Sequence, residues 1–168
     1  MGSYYYLAAS LPHLKFAANP PITVAVFLEE CKKWLSEKDL DEVTLVNNKN
    51  FKAYKGNNNF LKEWIAFEHS LKASLAQARK PGHNQQDLDR NSKKILEQSD
   101  PLLMEISYEQ VKWDFLEDKE FMYHFDINFL MIYCIKTGIL ERLANFDKNK
   151  GKEKFYQLCE VTYEQSNR

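Results

Sequence analysis

The chain has 168 residues, 44% of them apolar and 28% charged, and a formal net charge of −1. A chain of that size suits one domain and can bury about 70% of its unfolded surface, so it needs neither disulfides nor a metal to fold. The near-neutral charge argues against a general nucleic-acid binder, and the apolar run from Ile127 to Ile135 falls well short of the ~20 residues of a membrane span.

Tyr4-Tyr5-Tyr6 opens a compact aromatic stretch that reads equally as a short strand or as one or two helical turns, ended by Pro12. After the stiff Asn19-Pro20-Pro21 spacer, Thr23 is placed to cap a helix running to Ser36, with Val24, Phe27, Leu28, Cys31 and Leu35 on one face. Residues 37–46 suggest a second, short helix. Asn58 or Asn59 caps a strong helix from Phe60 to about Lys80, whose stripe runs through Trp64, Ile65, Phe67 or Glu68, Leu71 and Leu75. Lys80-Pro81-Gly82 supplies its stop. Residues 81–100 read as a polar connecting segment, either an exposed helix or a partly disordered link. Pro101 at the first helical position then starts a helix from Leu102 to about Leu116, with Leu103, Ile106, Val111 and Phe115 as its apolar set.

The segment 126–146 is the most apolar helix of the chain. Its apolar residues recur at Ile127, Leu130, Met131, Cys134, Ile135 and Ile139, and its first half is apolar on the other side as well. A helix apolar all round is normally buried. A polar turn then leads to a last helix, Lys154 to about Gln165. No strand pattern recurs. The expected fold is therefore all-α: a single domain over 1–168, a compact bundle of about five to seven helices around the central buried helix 126–146.

Chemistry-bearing patterns are absent. His13, His69, His83 and His124 are scattered and lack the local spacings of a zinc site, and no Glu-x-x-His pair recurs on two helices. No nucleophile elbow, P-loop or dinucleotide fingerprint occurs. No catalytic, cofactor or metal site is expected. Cys31, Cys134 and Cys159 form no CxxC pair and fit reduced thiols in a cytoplasmic protein. The basic residues Arg79, Lys80, Arg90, Lys93 and Lys94 are interrupted by Asp87 and Asp89, and read as a solvated face. Glu68 is placed to pair with Lys72 on its own helix, or across helices with Lys136 or Arg142. Glu141 and Arg142 carry the same two readings. Candidate partner-binding residues are Tyr4, Tyr5 and Tyr6 and the basic turn residues Lys148, Lys150 and Lys152, against a packed aromatic terminus and a solvated turn.

Three blocks carry a family resemblance: YYYLAASLPHLKF with Pro20-Pro21 and the Phe27-Leu28 helix, WIAFEHSLKASLAQAR over 64–79, and DINFLMIYCIKTGILERLANFDKNKG over 126–151. Together they resemble an uncharacterised bacterial family encoded among the subunits of V/A-type ATP synthases. Its members are usually longer and look like counterparts of the central-stalk adaptor of rotary ATPases, which seats the rotor shaft on the membrane ring. The resemblance implies a non-catalytic protein that binds the shaft and the ring, without nucleotide, nucleic acid or direct membrane insertion. Such a protein is cytoplasmic and membrane-associated only through the complex. A stand-alone helical regulator or assembly factor is the alternative, and an enzyme using His69 with Glu68 is a third. The adaptor reading expects an exposed aromatic or apolar patch; the enzyme reading expects a concave polar site.

Overall fold

The computed structural model describes residues 4–48, 54, 56–80, 88–146 and 156. Seven helices and no strand occur among them: α1 (Tyr5–Ser10), α2 (Val24–Trp34), α3 (Glu37–Asn48), α4 (Asn59–Ala78), α5 (Arg90–Leu96), α6 (Pro101–Glu120) and α7 (Ile127–Ala144). The fold is all-α. The expected helix over 154–165 and the turn residues Lys148, Lys150 and Lys152 lie outside the described residues.

Helix starts follow local chemistry. The side chains of Thr23, Asn58, Asp89, Asp100 and Asp126 each accept a backbone N–H from the first turn of the helix they precede, which satisfies donors that have no partner within the helix. Pro101 opens α6, where its missing N–H costs nothing. The tyrosine stretch resolves as helix: Ala8 N–H donates to the Tyr4 carbonyl, and Leu7 and Ala8 face the core.

Helix α7 is the centre. Its successive residues Leu130, Met131, Ile132, Tyr133 and Cys134 are all buried, which requires neighbours around its whole circumference. Those neighbours include α2, α3 and α6. Ile135, on the expected apolar stripe, is half-buried. Polar bonds tie the centre to distant chain: Tyr133 donates to the Pro12 carbonyl at 2.9 Å, and Asn58 donates to Asn128 at 2.8 Å. Cys31 and Cys134 are buried free thiols whose pKa values are both pushed up to about 12, mainly by burial. They are therefore protonated and poor nucleophiles at neutral pH.

Helix α4 meets α6 through rings. Phe67 and Phe115 stack with centroids 4.1 Å apart, and Trp64 lies 5.9 Å from Phe115. A second apolar cluster, Leu71, Leu75, Ile95 and Val111, joins the later part of α4 to α5 and α6. The segment expected to be a polar link thus contributes α5, which buries Ile95 and Ser92.

The apolar face of α6 differs from the expected one. Leu103 is exposed, whereas Glu109, Val111, Lys112, Trp113 and Leu116 are buried. Trp113 and Leu116 set the phase of the helix, and the i−4 neighbour of Trp113 is Glu109. A charged side chain therefore occupies a core position.

Gly138 sits inside α7, where glycine is less favourable than alanine by ~1 kcal/mol. An added Cβ would meet only Val24 Cγ2, at 3.9 Å, an ordinary contact. Gly138→Ala is expected to stabilise the protein by about 0.5–1 kcal/mol, raising Tm by about 1–4 °C. A thermal melt showing a lower Tm would mean that the α2–α7 packing is tighter than described.

Candidate docking surface

Four aromatic rings from distant parts of the chain line up on the surface. Tyr5 and Tyr6 come from α1, Trp34 from the end of α2, and Phe125 from the turn between α6 and α7. Tyr6 stacks on Trp34 at 6.4 Å, Tyr5 meets Tyr6 edge-on at 5.8 Å, and Tyr5 tilts against Phe125 at 4.6 Å. All four stay substantially open to solvent: Tyr6 at 74%, Trp34 at 53%, Tyr5 at 52% and Phe125 at 40%. The same α6–α7 turn exposes Phe121 and Met122. Scattered exposed apolar residues are common, whereas contiguous exposed apolar patches are less so.

Tyr4, the third residue of the tyrosine run, has a different role. It is half-buried against the core. Its hydroxyl donates to Asp39 at the start of α3, and burial together with that carboxylate raises its pKa. Its backbone N–H donates to the Phe125 carbonyl at 2.9 Å. Tyr4 thus anchors the aromatic row from below, while Tyr5 and Tyr6 present it.

Phe125 carries backbone strain. Its φ is +55°, a left-handed conformation that costs about 1–3 kcal/mol for a residue with a bulky Cβ substituent. The Tyr4 hydrogen bond and the Asp126 cap on either side hold it there. Strain of this kind persists where the surroundings impose it, and it clusters at sites that present a particular side chain.

The ion-pair candidates fall elsewhere. Glu68, on α4, is buried and accepts from Lys72 at 3.0 Å. Its other oxygen lies 3.7 Å from Lys112. Lys112 in turn donates to Glu109 at 2.9 Å. Arg142, on α7, reaches Glu109 at 3.2 Å and Glu105 at 2.5 Å. Glu68 and Arg142 therefore belong to one network, joined through Lys112 and Glu109 of α6. Lys136 is buried and joins a separate group: it pairs with Glu120, lies 3.9 Å from Glu117, and sits 4.8 Å from the centre of the Trp113 ring. Glu141 forms no ion pair among the described residues, contrary to expectation. Its carboxylate accepts the backbone N–H of Val24 at 2.9 Å, where the positive end of the α2 dipole favours an anion.

Glu109 is fully buried, and its Oε1 has no hydrogen-bond partner among the described residues despite the nearby Arg142. It borders a cavity of about 30 Å³ lined by Trp64, Glu68, Lys112, Gly138 and Arg142 among others, large enough for about one water molecule. Sequence reasoning misses Glu109 and Lys112. The signal lies in their i, i+4 and i, i+7 spacing to Trp113 and Leu116, which an assignment of charged residues to the solvent face overlooks.

His69 is exposed while its neighbour Glu68 is buried, and no hydrogen bond or ion pair joins them among the described residues. Adjacent positions on a helix point about 100° apart, so these two do not make a combined acid–base site. Among the described residues no group of His, Cys, Asp or Glu could hold a metal ion, and no helix is long and apolar enough to cross a membrane.

A family model described as a protein of unknown function (DUF2764) matches residues 90–165. The match includes α5, α6 and α7, and so contains Phe125 and the Glu109–Lys112 centre but not Tyr5, Tyr6 or Trp34. No curated protein and no solved structure matches the chain.

The strain at Phe125 inverts the usual order of substitutions. Phe125→Gly is expected to be more stable than Phe125→Ala by about 1 kcal/mol in urea unfolding, because only glycine adopts positive φ without penalty; equal stabilities would show that this backbone is relaxed. The charge network yields a larger effect. Lys112→Met leaves Glu68 and Glu109 buried beside each other and should cost about 3–5 kcal/mol, and adding Glu109→Gln should recover part of the loss. If the double variant were less stable than the single one, Lys112 would not be the counter-charge that matters.

Proposed function

We propose that the protein is a non-catalytic adaptor of a V/A-type ATP synthase, resembling the central-stalk component that couples the rotor shaft to the membrane ring, and that it docks through the Trp34–Tyr6–Tyr5–Phe125 row. The observation that carries this reading is the row itself. A monomer has no folding reason to hold four aromatic rings in mutual contact and leave them in water. Tyrosine and tryptophan supply large, stiff contact area with a polar tip, and they dominate the binding energy of protein interfaces. The resemblance of the tyrosine run and of the α7 block to the ATP synthase-associated family supplies the partner. The reading puts the protein on the cytoplasmic side, held at the membrane by the complex rather than by a segment of its own.

An adaptor that transmits torque must resist shear between its helices. The buried charges spanning α4, α6 and α7 and the backbone contact from Glu141 to α2 serve that need, because separating them exposes unpaired groups rather than merely sliding apolar surfaces.

Tagged protein expressed with the ATP synthase subunits should retain the rotor-shaft subunit through purification. Tyr6→Ser or Trp34→Ser should weaken that association roughly 30-fold, the effect of losing one interface hot spot of about 2 kcal/mol, with an unchanged helical spectrum. Failure of the unaltered protein to retain either the shaft or the ring would remove the adaptor role. Retention by both variants at full strength would move the interface away from the aromatic row.

A further inference from the structure

A second concave surface lies between α4, α5 and α6. This groove encloses about 430 Å³ and is lined by Leu75, Ile95, Leu96, Met104 and Tyr108, with Lys72, Arg79, Glu105 and Arg142 around them. Leu75 and Ile95 at its base belong to the apolar cluster that they form with Leu71 and Val111. The groove thus combines an apolar base with a rim of mixed charge.

The charges at that rim do not cancel. Lys72, Lys112 and Arg142 are matched by Glu68, Glu105 and Glu109 through contacts of 2.5–3.7 Å. That network is balanced, three cations against three carboxylates. Arg79 stands outside it. Its guanidinium makes no hydrogen bond or ion pair among the described residues, and it lines the groove. It follows Lys72 by seven residues on α4 and its cap, about 10 Å along the axis. The surplus positive charge therefore sits at one end of the apolar floor. The carboxylates nearest the other end are already engaged.

We infer that this groove is a binding site for an anionic amphiphile, its acid group held by Arg79 and its apolar body seated on Leu75, Leu96 and Met104. Size favours a small ligand over a partner helix. A volume of about 430 Å³ falls in the 300–1,000 Å³ range of small-molecule sites, whereas one turn of helix, about 11 Å across and 5.4 Å high, fills roughly 500 Å³. A planar guanidinium grips a carboxylate, sulfonate or phosphate in a two-point contact. The site does not depend on the adaptor reading, since none of its residues belongs to the aromatic row.

The test uses two fluorescent probes that differ in their acid group: 1-anilinonaphthalene-8-sulfonate and its uncharged counterpart N-phenyl-1-naphthylamine. The full chain should bind the sulfonate saturably at one site, at least tenfold more tightly than the neutral probe. Arg79→Gln, an exposed position that leaves the core untouched, should weaken sulfonate binding at least tenfold. Met104→Trp should weaken both probes by filling the groove. Tyr6→Ser with Trp34→Ser should change neither. Equal affinity for the two probes, or unchanged sulfonate binding by Arg79→Gln, overturns the inference. So does loss of the sulfonate site in the Tyr6→Ser/Trp34→Ser variant, which would put the probe on the aromatic row.

Discussion

The Lys112 ammonium, buried between Glu68 and Glu109, constrains the structure more than any single apolar contact. An apolar face can slide along its neighbour at little cost, whereas a charge taken out of water must meet its partner at one place. Lys112 meets one carboxylate from α4 and one from its own helix. Arg142 then brings α7 to the same Glu109. Three long helices are thereby fixed in register around one point. Replacing a whole buried network by well-packed apolar residues is often neutral for stability. What such a network supplies is one defined arrangement, the property a rigid coupling element needs. Trp64 and Tyr108, whose rings lie 5.9 and 5.3 Å from the Lys112 ammonium, close the site from the sides. Burial and the neighbouring carboxylates push the Tyr108 phenol up to about 12, so it stays neutral and adds no further charge to be balanced.

Local chemistry is the legible part of this sequence. Caps at Thr23 and Asn58 and the proline start at Pro101 depend on neighbours within a few residues, and each is where its residue type suggests. The unbroken apolar run in α7 likewise points to the centre of the bundle. The parts that escape a reading of the sequence depend on contacts between distant segments or on charge in an apolar place. Ranking α6 by apolar residues alone selects Leu103 for the core and passes over Glu109 and Lys112, although their spacing to Trp113 and Leu116 puts them on the buried face. Nothing near Glu141 in sequence reveals that its partner is the backbone of Val24, 117 residues away. The tyrosine run is ambiguous for a related reason. Which tyrosine is anchored and which is presented depends on Asp39, Trp34 and Phe125, and only the fold brings these together.

The aromatic row and the anion groove occupy opposite reaches of α7. Phe125 immediately precedes its capping residue, and Arg142 lies in its last turn, fifteen residues after Ile127 and so about 22 Å along the axis. Between them the helix is buried, capped by Asp126, and pinned from the side by Lys136 on Trp113 and by Glu141 on α2. A helix held at so many points moves as a rod. A displacement at Phe125 would therefore be carried to Arg142, and with it to Glu105 at the rim of the groove, without loss to bending. Any influence of an occupied groove on docking would have to run through that rod or through α6, whose two ends reach the same two sites. Occupancy at Arg79 alone would leave the rod unmoved, because Arg79 lies on the α4 cap outside the charge network. Coupling between the two sites thus requires the bound acid group to compete for Arg142 against Glu105 and Glu109. Two carboxylates already hold that guanidinium, at 2.5 and 3.2 Å, and an incoming anion would have to take from the fully buried Glu109 one of its two cationic partners, leaving it Lys112 alone. That cost favours two independent sites on one rigid frame.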